Sequence, residues 1–89
     1  MLQIKTTNKF EKEYKNAIKS GKDIIKLDQV LIMLAKKIPL DERFYDHPLK
    51  GNYKDRRECH IEPDWLLIYK IDDDSIIFER TGSHSQLFK

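Results

Sequence analysis

From Arg56 to Thr81 the chain reads as three strand candidates, 56–62, 65–71 and 75–81, separated by two tight turns. Few arrangements satisfy that pattern. Glu62-Pro63-Asp64-Trp65 makes the first turn, with proline at the second position, where its fixed φ fits. Asp72-Asp73-Asp74 makes the second, and its three carboxylates discourage edge pairing there. Connections this short join antiparallel neighbours, so the runs predict a meander. Pairing Ile61 with Leu66 and Cys59 with Ile68 puts those four apolar residues on one face. Glu58, His60, Leu67 and Tyr69 then share the other. In that register Arg57 lies opposite His60, and reaches a common site only through a bulge or around an edge.

A sheet with one apolar face needs a cover, and the first 38 residues supply it. Residues 2–6 alternate and suit a short strand. A helix follows, with Asn8 as expected N-cap and Glu11 in the capping-box position. Phe10, Tyr14, Ala17 and Ile18 form its apolar stripe. Gly21 is the expected stop, because glycine takes positive φ without steric cost. A second helix begins at Asp23. Leu27, Val30, Leu31, Leu34, Ala35 and Ile38 fall on one face, Lys36 and Lys37 occupy its last turn, and Pro39 ends it. The short break predicts a helical hairpin. Residues 39–55 show no period and read as a long loop with at most one strand fragment, a length more often functional than idle. The tail TGSHSQLF reads as a turn with a terminal aromatic.

At 89 residues the chain is expected to form one domain, 1–89. Its single cysteine, Cys59, can form no internal disulfide, which fits a reducing compartment. There is no signal-peptide pattern and no apolar run near the length of a membrane span, so a cytoplasmic protein without a membrane partner is expected. The net charge of +2 does not call for nucleic acid, but residues 50–57 concentrate Lys50, Lys54, Arg56 and Arg57 against Asp55 alone. Such a patch can engage phosphates.

Three histidines, His47, His60 and His84, all lie beyond residue 46 and among polar neighbours. Paired imidazoles can act as base and acid near neutral pH. Metal binding is the competing use, but the histidine spacings match no ligand motif, so no metal and no cofactor are expected. There is no glycine-rich phosphate loop, and Ser83-His84-Ser85 lacks the glycines of a nucleophile elbow. Imidazoles, a basic patch and the aromatics Tyr53, Trp65, Tyr69 and Phe88 together fit one metal-free reaction. A base deprotonates an RNA 2′-OH, which attacks the adjacent phosphorus, and an acid protonates the departing 5′-oxygen.

The segments DHPLKG, RECHIEPDWLLIYKI and RTGSHSQLF, in that order after a helical hairpin, resemble the YafQ branch of the RelE superfamily. These are bacterial toxin endoribonucleases of type II toxin–antitoxin pairs, and the resemblance covers essentially the whole chain. It implies an α+β fold: an antiparallel sheet of about four strands with the helical hairpin packed on one face. It implies metal-independent cleavage of mRNA in the ribosomal A site and a cognate antitoxin that silences the toxin. Operator DNA would be met only through the antitoxin complex. Carried over by motif, the catalytic set is His47, His60, Asp64 and His84, with Trp65 and Phe88 beside it. His60 and His84 would share the proton transfers, Asp64 would orient an imidazole or act as base, and His47 would shuttle a proton or contact phosphate.

Lys50, Lys54, Arg57 and Arg80 are added from charge and position as phosphate holders. Arg80 has the alternative of an ion pair with Glu58 or Glu79, Trp65 that of core packing, and Phe88 that of anchoring the tail. Two departures from the branch are visible: Gln86 stands where Glu is common, and Lys89 extends past the usual terminal Phe. Two other classes compete with the ribonuclease. One is a catalytically silent module that binds antitoxin and, through it, operator DNA. The other is a ribosome binder that blocks translation without cutting.

Overall fold

The computed structural model describes residues 1–88; the expectation placed on Lys89 lies outside the described residues. The first strand, β1 (Gln3–Thr6), runs directly into α1 (Asn8–Lys19). The N-cap is Thr7 rather than the expected Asn8. Its backbone is still extended from the strand, and its hydroxyl accepts from Phe10 N–H at 3.0 Å while donating to the Glu79 carbonyl at 2.7 Å. One side chain therefore caps the helix and ties it to the sheet. Glu11 accepts from the Thr6 hydroxyl instead of closing a capping box.

Both helices end in the same hydrogen-bonded motif. At the end of α1, Gly21 N–H reaches Ile18 O at 3.1 Å and Lys22 N–H reaches Ala17 O at 3.0 Å, with Gly21 at φ 81°. At the end of α2 (Ile24–Ala35), Lys37 N–H reaches Leu34 O and Ile38 N–H reaches Met33 O, with Lys37 at φ 60°. The second helix thus stops at Ala35, before Pro39 can act. Ile38, expected on its buried stripe, lies beyond the helix and is 44% exposed. Asp23 caps α2 as expected, accepting from Lys26 N–H at 3.3 Å. A Cβ at position 21 meets no neighbour, so only the backbone conformation is at stake. Gly21→Ala is expected to lower stability by about 1 kcal/mol in a denaturant titration, the usual cost of forcing an L-residue into this region.

The sheet has five strands in the order β1-β5-β4-β3-β2, with β2 at His47–Pro48, β3 at Arg57–Glu62, β4 at Trp65–Asp72 and β5 at Ser75–Gly82. The meander β3-β4-β5 forms as expected, with its turns where the sequence placed them. Two features differ. The sheet is mixed, because β1 pairs parallel with β5, Ile4 opposite Ile76. A parallel neighbour needs a long crossover, which the intervening helices and strands supply. The fifth strand is the two-residue β2, in the long loop between two 3₁₀ turns, Glu42–Phe44 and Gly51–Tyr53.

The expected hairpin register is corrected by one residue. Glu62 pairs with Trp65, but Ile61 is bulged, and from there His60 faces Leu66, Cys59 faces Leu67 and Glu58 faces Ile68. Cys59 and Ile61 do point at the helices, but the β4 residues that share that face are Leu67 and Tyr69. Leu66 and Ile68 lie on the other face with Glu58 and His60, where Leu87, Leu49 and Tyr53 cover them. A second bulge leaves Glu79 unpaired between Phe78 and Arg80.

The main core lies between the helices and the sheet: Phe10, Ala17, Leu27, Val30, Leu34 and Ala35 against Cys59, Ile61, Trp65, Leu67, Tyr69, Ile76 and Phe78. Tyr14 bridges the helices by donating to Asp28 Oδ1 at 2.6 Å, which pushes its phenol up to about 12. On the opposite face, the smaller cluster under Leu87 supports the end of a short helix, α3 (His84–Leu87), formed where a plain turn was expected.

Candidate active site

Strand alternation puts Glu58 and His60 on one face of β3, and the pairing of His47 with Glu58 brings a second imidazole to that face. Glu58 is buried, 4% exposed. Its Oε1 lies 3.5 Å from His47 Nε2 and 3.4 Å from His60 Nε2. His47 Nδ1 lies 2.7 Å from the Tyr45 carbonyl. A carbonyl only accepts, so His47 carries its proton on Nδ1 and turns Nε2 toward the carboxylate. The rings of His47 and His60 are 6.3 Å apart.

The third imidazole arrives from β5. Ser83 accepts from Gln86 N–H at 3.3 Å, and the Gln86 side chain accepts from Ser83 N–H at 2.8 Å, a closed capping box. Gln and Glu can both accept in this position, so the departure at Gln86 keeps the tail's geometry. A Cβ at position 82 would sit 2.7 Å from Gln86 Oε1, so a side chain there would displace the Gln86 arm of the capping box. The turn between β3 and β4 then pins the helix start. Asp64 Oδ1 accepts from His84 N–H at 3.0 Å and lies 3.1 Å from His84 Nδ1. The backbone N–H first, and the ring second, hold the Asp64 carboxyl below its ordinary range. It is therefore a weak base and a good orienting group, leaving His84 Nε2 free. The His60 and His84 rings are 5.8 Å apart.

Phe88 lies 6.2 Å from the His84 ring and 5.5 Å from that of Tyr53. Beside it opens a groove of about 610 Å³ lined by Leu49, Lys50, Asn52, Tyr53, Leu87 and Phe88. Lys50 is exposed on its rim and Lys54 follows the second 3₁₀ turn; neither has an ion pair among the described residues.

The structure thus gathers His47, His60, Asp64 and His84 around one surface, with Phe88 and Lys50 beside it. Three residues expected to contact RNA are engaged elsewhere. Arg57 is on the helix-side face, its Nε 3.1 Å from Asp46 Oδ1, because alternation turns it away from His60. Arg80 grips Glu13 of α1 with both Nε and Nη2, the latter at 2.8 Å, rather than pairing with Glu58 or Glu79. Glu79 is taken by Arg56 at 2.9 Å. Trp65 is 1% exposed, and its indole N–H donates to Thr81 Oγ1 at 3.0 Å, so no ring face is left for a base.

Sequence reasoning missed Glu58, whose one signal was a carboxylate two residues before His60 and hence on the same strand face. It also missed Asp46, which accepts from Tyr69 O–H at 2.7 Å as well as from Arg57, and so braces the residue before His47. Glu58, His60 and His84 offer ligand atoms within 4.8 Å of one another, a carboxylate and two imidazoles suited to a divalent transition ion. The 24-residue separation of the two histidines in sequence hid that grouping. No helix among the described residues is long and apolar enough to cross a membrane.

A family model described as the bacterial toxin of type II toxin–antitoxin system, YafQ, matches residues 2–89. The mRNA interferase toxin YafQ of Escherichia coli K12 is 43% identical over 86 residues, covering 96% of this chain and 94% of that protein. The crystal structure of the E. coli DinJ-YafQ complex superposes with a TM-score of 0.92 at 41% identity, covering 100% of both chains. A metal-bound toxin from Helicobacter pylori superposes at 0.93 with 47% identity, covering 99% of this chain and 100% of that one.

Proposed function

The chain belongs to the YafQ family of type II toxin–antitoxin toxins, and from that membership we propose that it is an endoribonuclease that cuts mRNA in the ribosomal A site. The reading is carried by the convergence of Glu58 and three imidazoles, His47, His60 and His84, on one accessible face. Such a set handles both protons of a transesterification. One imidazole takes the 2′-OH proton as the O2′–P bond forms and the P–O5′ bond breaks. A second gives a proton to O5′. The products are a 2′,3′-cyclic phosphate and a 5′-hydroxyl end. His60, backed by Glu58, and His84, oriented by Asp64, divide the two transfers. His47, with Nδ1–H held by the Tyr45 carbonyl, relays a proton through Glu58. Lys50 and Lys54 hold flanking phosphates.

The modest net charge of +2 suits a substrate presented by the ribosome, since the protein need not capture RNA alone. The E. coli relative is seen in complex with DinJ. By analogy a cognate antitoxin binds this toxin, and operator DNA is reached through that complex. Translated message places the action in the cytoplasm. The H. pylori relative is described as metal-bound. In this chain Glu58, His60 and His84 would receive such an ion, which would occupy the lone pairs that proton transfer needs.

Mapping RNA 5′ ends in a reconstituted translation reaction tests the proposal. New ends should appear in translated message and persist in chelator, while zinc should suppress them and free RNA should be cut more slowly. Arrest with intact message would instead establish a non-cleaving ribosome binder, and no arrest at all a silent antitoxin-binding module.

A further inference from the structure

We propose that Tyr45 is a nucleobase platform, seating a base next to the scissile phosphate on the His47 side of the site. The inference deepens the ribonuclease reading and rests on it. Tyr45 closes the 3₁₀ turn Glu42–Phe44 with φ 46° and ψ 52°, a left-handed conformation that disfavours a bulky side chain. Strain of this kind collects at functional sites, where the surrounding structure enforces it. Here buried Phe44 anchors the turn on one side, and the Asp46 bonds to Arg57 and Tyr69 anchor it on the other.

The backbone has a clear task, because the turn aims the Tyr45 carbonyl at His47 Nδ1. Glycine or asparagine would present that carbonyl with less strain. The carbonyl therefore does not account for the ring, and the core does not either. Tyr45 is 62% exposed, and its hydroxyl makes no hydrogen bond among the described residues. What the ring does touch is the catalytic row. It lies 4.4 Å from the His47 ring at 35° and meets His60 edge-on at 5.5 Å.

At the far end of the same row, Phe88 stands 6.2 Å from His84 and is 41% exposed. Tyr45 is nearer to His60 than His47 is, at 5.5 against 6.3 Å, so its ring lies over the His47–His60 pair, while Phe88 adjoins His84. Imidazoles flanked by one exposed aromatic ring at the His47–His60 pair and another at His84 match a dinucleotide, whose scissile phosphate lies between two flat bases. Stacking on such rings tolerates sequence and is strong enough to position a strand.

The test is steady-state cleavage of translated message by Tyr45→Gly, Tyr45→Asn and Tyr45→Phe. Gly and Asn both tolerate positive φ, so thermal melting should show no loss of stability. Their kcat/KM should nevertheless fall roughly 5- to 150-fold, mainly through KM, the value of one base–aromatic stack. Tyr45→Phe keeps the ring face and should stay within about threefold of wild type, as for a surface change without new contacts. Gly or Asn variants that cut as well as wild type would overturn the proposal. So would a Phe variant as poor as Gly, or variants that lose only antitoxin affinity, which would make the ring a protein contact. If wild type produces no cut ends, the ribonuclease reading itself fails and the platform falls with it.

Discussion

In Glu58→Gln, cleavage of translated message should fall by about 10²- to 10⁴-fold, the usual range for losing a positioned acid–base group. Melting temperature should not fall. Glu58 is 4% exposed, and one of its oxygens faces Nε2 of both His47 and His60 at 3.5 and 3.4 Å. Glutamine preserves volume and one acceptor oxygen, but it cannot take a proton between two rings. Removing a buried charge also removes its desolvation cost, which offsets the weakened contacts to the two rings. The experiment pairs a cleavage time course with thermal melting. A loss smaller than about tenfold in a stable variant would reduce Glu58 to packing and move the proton relay elsewhere.

His84→Ala should cost a similar factor, about 10²- to 10⁴-fold, because no other described ring near His60 has a free nitrogen and a carboxylate partner. Asp64→Asn is the graded companion. It leaves an oxygen for the His84 backbone N–H but loses the charge that orients the ring. The expected loss is about tenfold, well below that of His84→Ala, because the carboxylate is exposed and solvent screens its pull on the ring. Equal losses in the two variants would make Asp64 a proton carrier rather than an orienting group.

The same pair predicts a pH dependence of stability. The folded Asp64 carboxyl is depressed, chiefly by the His84 backbone N–H. Its contribution is therefore present above the unfolded value, about 3.9, and is lost as pH falls through the lower folded one. Wild type should be more stable than Asp64→Asn at neutral pH, and the gap should close below about pH 4. A gap that widens in acid would reverse the sign and contradict the bond.

These outcomes depend on different parts of the chain, and those parts were not equally legible. Histidine chemistry was visible as residue types, and the family motif supplied Asp64 and the order of the set. The convergence was not visible. His60 and His84 meet because β4 lies between their strands and a capping box lifts α3 back over the face. Glu58 looked like an ordinary polar strand residue until β2 laid His47 against it. Arg57, Trp65 and Arg80 carried suitable chemistry, but Asp46, Thr81 and Glu13 had claimed them.

By itself, the sequence determined the elements: two amphipathic helices, the first stopped at Gly21 and the second read as far as Pro39 though it ends at Ala35, and a three-strand meander turning at Pro63-Asp64 and at the aspartate run. Periods of 3.6 and 2 and the chemistry of turns act over a few residues, so they can be read locally. Tertiary structure alone decided the register of β4, the parallel edge strand and the partners of every buried or paired charge. A bulge at Ile61 or Glu79 leaves no local mark, yet it moves each later side chain by one position. Which cation meets which carboxylate depends on distances between segments up to 67 residues apart, as for Arg80 and Glu13, and only the packed core sets those distances.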